Sequence, residues 1–279
     1  MIKKRFNLKD FVLYIILIFI AFVCIIPLFW MVRSSFMKNT AIYVLDPFVI
    51  WPKEMLWENY INAWTFADFP IYTRNTFIIA IASLFGTILT SSLSAYSFSR
   101  LKWKGRNFWF SVILSTLMLP ATVTLIPQFL IWKNLHLVNT FYPLILPSFL
   151  GGGAYNIFLM RQFFLSIPYE LDEAAEIDGT SKLQIYSKII MPLSKSAIIV
   201  VGLFSFLYNW NDFFGPIIYL NDKSHFTLAL GLLQFRGDYD SKWNLLMAAS
   251  TIVIAPCILI YSIGQKYLIE GISLTGIKG

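Results

Sequence analysis

Five carboxylates fall within nine positions of the chain: Glu170, Asp172, Glu173, Glu176 and Asp178. Three lysines follow them, Lys182, Lys188 and Lys195. An enzyme working at a membrane face would need such a group of acids as proton donors and acceptors, and this is the one acid cluster in the sequence. No other residues complete a catalytic set. There is no GxxxxGK[ST] phosphate loop, so nucleotide chemistry must come from another chain. There is also no HExxH or GxSxG constellation. His136 and His225 stand alone, without Cys or His at metal-ligand spacing, and Cys24 and Cys257 lie inside apolar runs. A second set of polar residues interrupts apolar stretches: Gln128, Asn156, and the run Asn209, Trp210, Asn211, Asp212. Polar groups at membrane depth mark transport paths by default. The same groups also suit hydrogen bonds between helices or contact with an extracellular protein.

The elements that position these residues follow from composition. Of 279 residues, 57% are hydrophobic and only 13% charged, about half the charge of a soluble domain. Too little polar surface remains to cover a water-facing globule. The expectation is an all-α polytopic membrane protein, one transmembrane domain over residues 1–279. A span needs about 20 apolar residues, and six stretches qualify: 11–32, 76–98, 108–130, 142–160, 197–220 and 245–268. The first follows Lys3, Lys4 and Arg5 but is too long for a signal-peptide core and has no small-residue cleavage site, so it stays as an anchor. Pro120 and Pro127 should kink the third span, and the freed carbonyls suit a helix facing protein or a water-filled path. In the second span Ala82, Gly86 and Thr90 repeat at small-xxx-small spacing, which lets helix backbones approach.

Orientation follows from Lys and Arg. With the N-terminus in the cytoplasm, 14 of the 22 basic residues fall inside, and the inner face carries the whole net charge of +7. The short loop Arg100–Arg106 holds four positive charges and no acid. Both termini are therefore expected in the cytoplasm. Basic residues that border spans, with no single basic face, argue against nucleic acid as a partner. Trp30, Trp51, Trp57, Trp64, Trp103, Trp109 and Trp132 suit headgroup-depth anchors against membrane lipid.

The loop of residues 166–195 is too long for a mere connector. Ser166 can cap a first helix, with Pro168 and the acids in its first turns. Asp178-Gly179 reads as a turn. Ser181 and Gln184 read as a capping box for a second helix, with Leu183, Tyr186, Ile189 and Ile190 on one face and Pro192 ending it. The result is a cytoplasmic helix-turn-helix finger. Its acidic first helix would be repelled by an anionic inner leaflet, so a protein partner suits it better than lipid.

The run Glu173-Ala174-Ala175-Glu-Ile-Asp178-Gly179, with Ile189-Ile190-Met191-Pro192-Leu193 nine residues on, resembles the EAA motif of ABC importer permeases. Met191 stands where that motif usually has Leu. Leu119-Pro120 through Pro127, Asn209-Trp210-Asn211-Asp212-Phe213 and the tail Gln265–Gly279 resemble the carbohydrate-uptake branch, of the maltose-type second permease. The resemblance runs from the second span onward. It implies a permease with no catalysis and no cofactor of its own, ATP and Mg being held by partner ATPases. It implies a different second permease, two ATPase subunits and an extracytoplasmic solute-binding protein, in a bacterial-type inner membrane. Glu173, Ala174, Ala175, Asp178, Gly179 and Pro192 are then the ATPase-coupling residues, and Gln265–Gly279 lies near the same interface. The cargo implied is an oligosaccharide, which makes Gln128, Asn156, Asn209, Trp210 and Asp212 the candidates for its path. An ion-gradient-driven sugar transporter is the second reading, although it would usually show repeated halves and mid-span charges.

Overall fold

The computed structural model describes residues 8–43, 50–66, 68–237 and 241–275, and every regular element among them is helical. Gly276–Gly279, the end of the tail expected at an ATPase interface, lies outside the described residues. The chain groups into two compact units.

The first unit is Met1–Phe69 with Gly231–Ala255. Its main helices are α1 (Leu8–Ser35), α2 (Glu58–Phe66) and the first part of a long helix that begins at Trp243. Along α1 the apolar side chains from Leu8 to Ile26 are exposed within the chain, as a lipid-facing anchor requires. Beyond its end, Phe36 is buried under an aromatic cluster. Its ring is 4.8 Å from Trp57, edge-on, and 5.2 Å from Tyr60. Asn59 donates to the carbonyls of Ser35 at 2.8 Å and Met37 at 2.9 Å, and accepts from Asn244 at 2.9 Å. Trp51 and Trp57, expected as interface anchors, are exposed and also touch the Phe36 ring.

The second unit is Pro70–Leu230 with Pro256–Gly279. It is built around α3 (Phe69–Ser99). The stretch expected as one span over 108–130 is two helices, α4 (Arg106–Ser115) and α5 (Ala121–Asn134), meeting at 100°. The break falls where Leu119 turns extended ahead of Pro120, because a proline pushes its predecessor out of helical geometry. Pro127 lies inside α5 without breaking it. The fourth stretch is also divided, into α6 (Tyr142–Phe149) and α7 (Ala154–Ser166). Between them Gly151, Gly152 and Gly153 all have positive φ. Gly152 is doubly constrained, since a Cβ there would sit 2.7 Å from the Thr87 carbonyl oxygen. The fifth stretch is α10 (Lys195–Trp210) followed by short α11 (Phe214–Tyr219). The last helix is α12 (Trp243–Thr275).

The small-residue stripe of α3 is the seam against these broken helices. A Cβ at Gly86 would lie 2.6 Å from the Phe149 ring. Thr90 donates to the Ser148 carbonyl at 2.9 Å and Ser205 donates to the Thr87 hydroxyl at 3.3 Å. Interhelical hydrogen bonds of this kind are worth on average about 0.6 kcal/mol each. Among the described residues four helical stretches, α6 and α7 counted as one, are long and apolar enough to cross a membrane, or up to six if each bent pair is one span.

Candidate functional site

The acid cluster lies on α8 (Glu170–Ile177), and the chain turns at Asp178-Gly179 into α9 (Lys182–Leu193), which contains a π-turn over Tyr186–Ile190. Ser166 does not cap α8. It ends α7 and donates to the Phe163 carbonyl at 2.7 Å, while Tyr169 occupies the N-cap without a side-chain bond. The acids Glu170, Asp172 and Glu173 complement the helix dipole instead. Gly179 holds φ +75° and a Cβ there would meet nothing within 4 Å. Its constraint is thus the left-handed backbone that ends α8, and the space above it is open. The capping box of Ser181 and Gln184 is present as the sequence predicts. Lys182 pairs with Glu176 across the turn. Pro192 does not end α9: it sits in the final turn, and the chain bends by 80° after Leu193, at Ser194.

The finger has two faces. Inward, Ala175, Ile185, Tyr186 and Ile190 are buried against Ala95, Tyr96, Met160, Phe164 and Val201. Leu183, expected on this face, is 67% exposed, and Ile185 takes its place. Tyr186 and Ile190, four residues apart, lie on one helical face with Ile185 and the half-buried Ile189 beside them. Outward lie Glu173, Ala174, Asp178 and Gly179, together with Leu171, Leu183 and Ile177, the last 87% exposed. The EAA residues therefore divide: Glu173 and Ala174 face out and Ala175 packs in.

The base of the finger is fixed to α3 by contacts that sequence reasoning missed. Arg100 donates to Asp172 at 2.8 Å, and both side chains are 4% exposed. The same guanidinium donates to the Ile167 carbonyl at 2.7 Å and to that of Phe164, so it closes the C-terminal end of α7 as well. Tyr96 donates to the Lys182 carbonyl at 2.9 Å, and the Ser92 and Tyr186 hydroxyls share a bond of 2.8 Å. Arg100 had counted as one more positive charge in a cytoplasmic loop. Nothing in a single sequence pairs positions 72 residues apart.

The polar residues of the spans form a second site. A cavity of about 600 Å³ opens between α5, α6, α7, α10 and α11. Gln128, Asn156, Asn209 and Asp212 all line it. Trp210 does not. Its side chain is 2% exposed, stacked on Phe206 at 5.2 Å and edge-on to Phe77 at 4.8 Å, because one helical step from Asn209 turns it into the core. The aromatic side chains at the cavity are instead Tyr155, Phe204, Tyr208, Phe214 and Tyr219. The third stretch does face a cavity, as its prolines suggested: Thr124 and Gln128 of α5 line it.

Residues 82–273 match the family described as "Binding-protein-dependent transport system inner membrane component". The chain belongs to this family. Permeases of the family catalyse no reaction and carry no cofactor, and ATP hydrolysis belongs to separate ATPase subunits. The permease is thus a multi-pass inner-membrane subunit of a binding-protein-dependent ABC importer, with an ATPase and a binding protein as its partners. Membership sets aside the ion-gradient-driven transporter that the sequence left as its second reading. Along its length the permease is similar to the arabinooligosaccharides transport system permease protein AraQ of Halalkalibacterium halodurans, 31% identical over 99% of both chains. It is also similar to the sn-glycerol-3-phosphate transport system permease protein UgpE of Yersinia enterocolitica, 30% identical over 98% of each. Its fold matches that of a chain in the crystal structure of a bacterial ABC transporter involved in the import of the acidic polysaccharide alginate. That match has a TM-score of 0.83 and 24% identity, and covers 95% of the permease and 99% of the other chain.

Proposed function

We propose that the permease forms one half of an oligosaccharide pathway and is driven through its finger by an ATPase docked on the outward face of α8 and α9. The observation that carries this reading is the division of the finger: a tip with exposed Ile177, Leu183 and Ala174 beside Glu173 and Asp178, on a base held rigidly to α3. Apolar side chains standing free at 87% and 67% exposure on a charged loop are unfavourable in water unless a partner covers them. A base fixed by a buried ion pair and two tyrosine hydroxyls moves with α3 instead of flexing away from it.

The cavity supports the cargo. Carbohydrates are held by aromatic faces and by dense hydrogen bonding, and this lining supplies both: five aromatic rings among the amides of Gln128, Asn156 and Asn209, the hydroxyls of Thr124 and Ser205, and the Asp212 carboxylate. The AraQ relative carries an arabinooligosaccharide name, in keeping with an oligosaccharide here. With so few spans per chain and one open-sided cavity, a second, different permease completes the pathway. The excess of Lys and Arg on one set of loops supports both termini lying in the cytoplasm.

The test of coupling is the ATPase of the assembled complex. Ile177→Glu puts a charge on the docking face without touching the buried base. It should lower the ATPase that co-purifies with the tagged permease by roughly tenfold, the effect of about 1.4 kcal/mol at an interface. Full recovery of ATPase with Ile177→Glu would contradict docking through this face.

A further inference from the structure

Resting on the reading of the cavity as the cargo path, we infer that this chain's side of the path selects against anionic cargo and suits a neutral, hydroxyl-rich one. The argument starts from which atoms of the lining are already used. Asn156 donates its amide nitrogen to the Gly152 carbonyl at 2.7 Å, and Asn209 donates to the Ser205 carbonyl at 2.7 Å. A backbone carbonyl only accepts, so the nitrogen end of each amide must face it. The Thr124 hydroxyl gives its one proton to the Ala121 carbonyl at 3.0 Å. It can therefore only accept from Gln128, whose amide nitrogen lies 3.3 Å away. In each of these side chains one N–H is engaged, on a backbone carbonyl for Asn156 and Asn209 and on the Thr124 hydroxyl for Gln128, so the amide oxygen stays free to accept.

Asp212 adds the decisive group. Its Oδ1 accepts from the Gly215 amide at 3.1 Å. A Cβ at position 215 would sit 2.5 Å from Oδ2 and 2.8 Å from Leu144 Cδ2, so the glycine makes the space in which the carboxylate sits. Asp212 has no ion pair among the described residues, and no Lys, Arg or His lines the cavity. The lining thus combines three amide oxygens, the Tyr155, Tyr208 and Tyr219 hydroxyls and one carboxylate, with no cation. Sugar hydroxyls both donate and accept, so a neutral polyol matches a lining of this kind. A phosphate or carboxylate would face an unpaired acid in a low-dielectric wall, where like charges repel strongly. The cargo class here is therefore set apart from those named for two similar proteins, sn-glycerol-3-phosphate and the acidic polysaccharide alginate.

The experiment needs no knowledge of the sugar. In a Cys24→Ser/Cys257→Ser background, Tyr208→Cys or Ser148→Cys places a thiol at the cavity of the complete transporter in nanodiscs. A second site guards against one variant failing to fold. Its reaction rate is measured with cationic, neutral and anionic methanethiosulfonate reagents, each divided by its rate with free thiol. The inference predicts a cationic-to-anionic ratio of roughly ten or more, the range in which charged clefts focus ions, and collapse of that ratio towards one when Asp212→Asn is added. A thiol that reacts equally with both ions, or whose preference survives Asp212→Asn, overturns the charge inference alone. Thiols at both sites that react with none of the reagents, with or without ATP, show that the cavity is closed to water and overturn the path reading along with it.

Discussion

Asn209 and Asp212 lie one helical turn apart where α10 gives way to α11, and both are held to the backbone, Asn209 by the Ser205 carbonyl and Asp212 by the Gly215 amide. Alanine at either position removes a cavity acceptor without reaching the finger. Uptake of the transported sugar by whole cells should fall by roughly tenfold, as expected where one hydrogen bond to a polar ligand group is lost, with the ATPase still co-purifying. Unchanged uptake in both variants would remove these residues from the path. The buried pair of Arg100 and Asp172 makes a different prediction. Asp172→Ala leaves a buried guanidinium uncompensated, a loss of about 3–5 kcal/mol, whereas Arg100→Met combined with Asp172→Leu should recover most of the stability. Thermal unfolding of the purified complex measures both. If the double variant is stable yet hydrolyses ATP without transport, the pair serves to transmit force as well as to hold the fold. The polar cavity residues were legible in the sequence because amides and acids in apolar runs stand out. Trp210 was misplaced because adjacent residues on a helix point about 100° apart, and a run of four polar or aromatic letters hides that. The Arg100–Asp172 pair was not legible at all, since each residue alone reads as an ordinary loop charge.

Among the elements, the finger shows how far local signals reach. The acids in the first turn of α8, the turn at Gly179 and the capping box at Ser181 are short-range features, and the chain carries all three where they were expected. The cap at Ser166, the end at Pro192 and the inward place of Leu183 failed together. Each depends on where a helix begins, ends or faces to within a residue or two, which packing decides: Ser166 belongs to α7, Pro192 sits in the last turn of α9, and Ile185 packs inward in place of Leu183. At Gly179 the required conformation is left-handed and the surrounding space is empty. Gly179→Ala should therefore cost only about 1 kcal/mol in the free permease. Any larger loss of ATPase binding, read by titrating detached ATPase subunits onto it, reports contact with the partner at this turn. At Gly152, packed against α3, the reverse holds. Gly152→Val must displace the Thr87 carbonyl and the Ser91 backbone, and should lower the unfolding temperature of the complex or block its assembly. A variant with unchanged thermal stability and assembly would show that the seam can open freely.

For the whole molecule, composition and the positive-inside pattern determine the class, and family membership supplies the partners. What sequence left open was the shape of the spans. Three of the six expected stretches are divided, at Pro120, at Gly151–Gly153 and at Asn211–Phe213, and the cavity lies among those breaks. Hydropathy averages over about 20 residues and cannot register an interruption of three. Broken helices are tolerated at membrane depth only where protein or a water-filled cavity satisfies the freed backbone, so the breaks and the cavity belong to one arrangement. The central claim, that this arrangement is worked from the finger by ATP, is tested most directly by purifying the tagged permease complex into liposomes and measuring sugar uptake and ATP hydrolysis together. Wild type should show both, and Ile177→Glu should lose both while the second permease still co-purifies. Uptake that persists with Ile177→Glu, or that proceeds without ATP hydrolysis, would contradict the account.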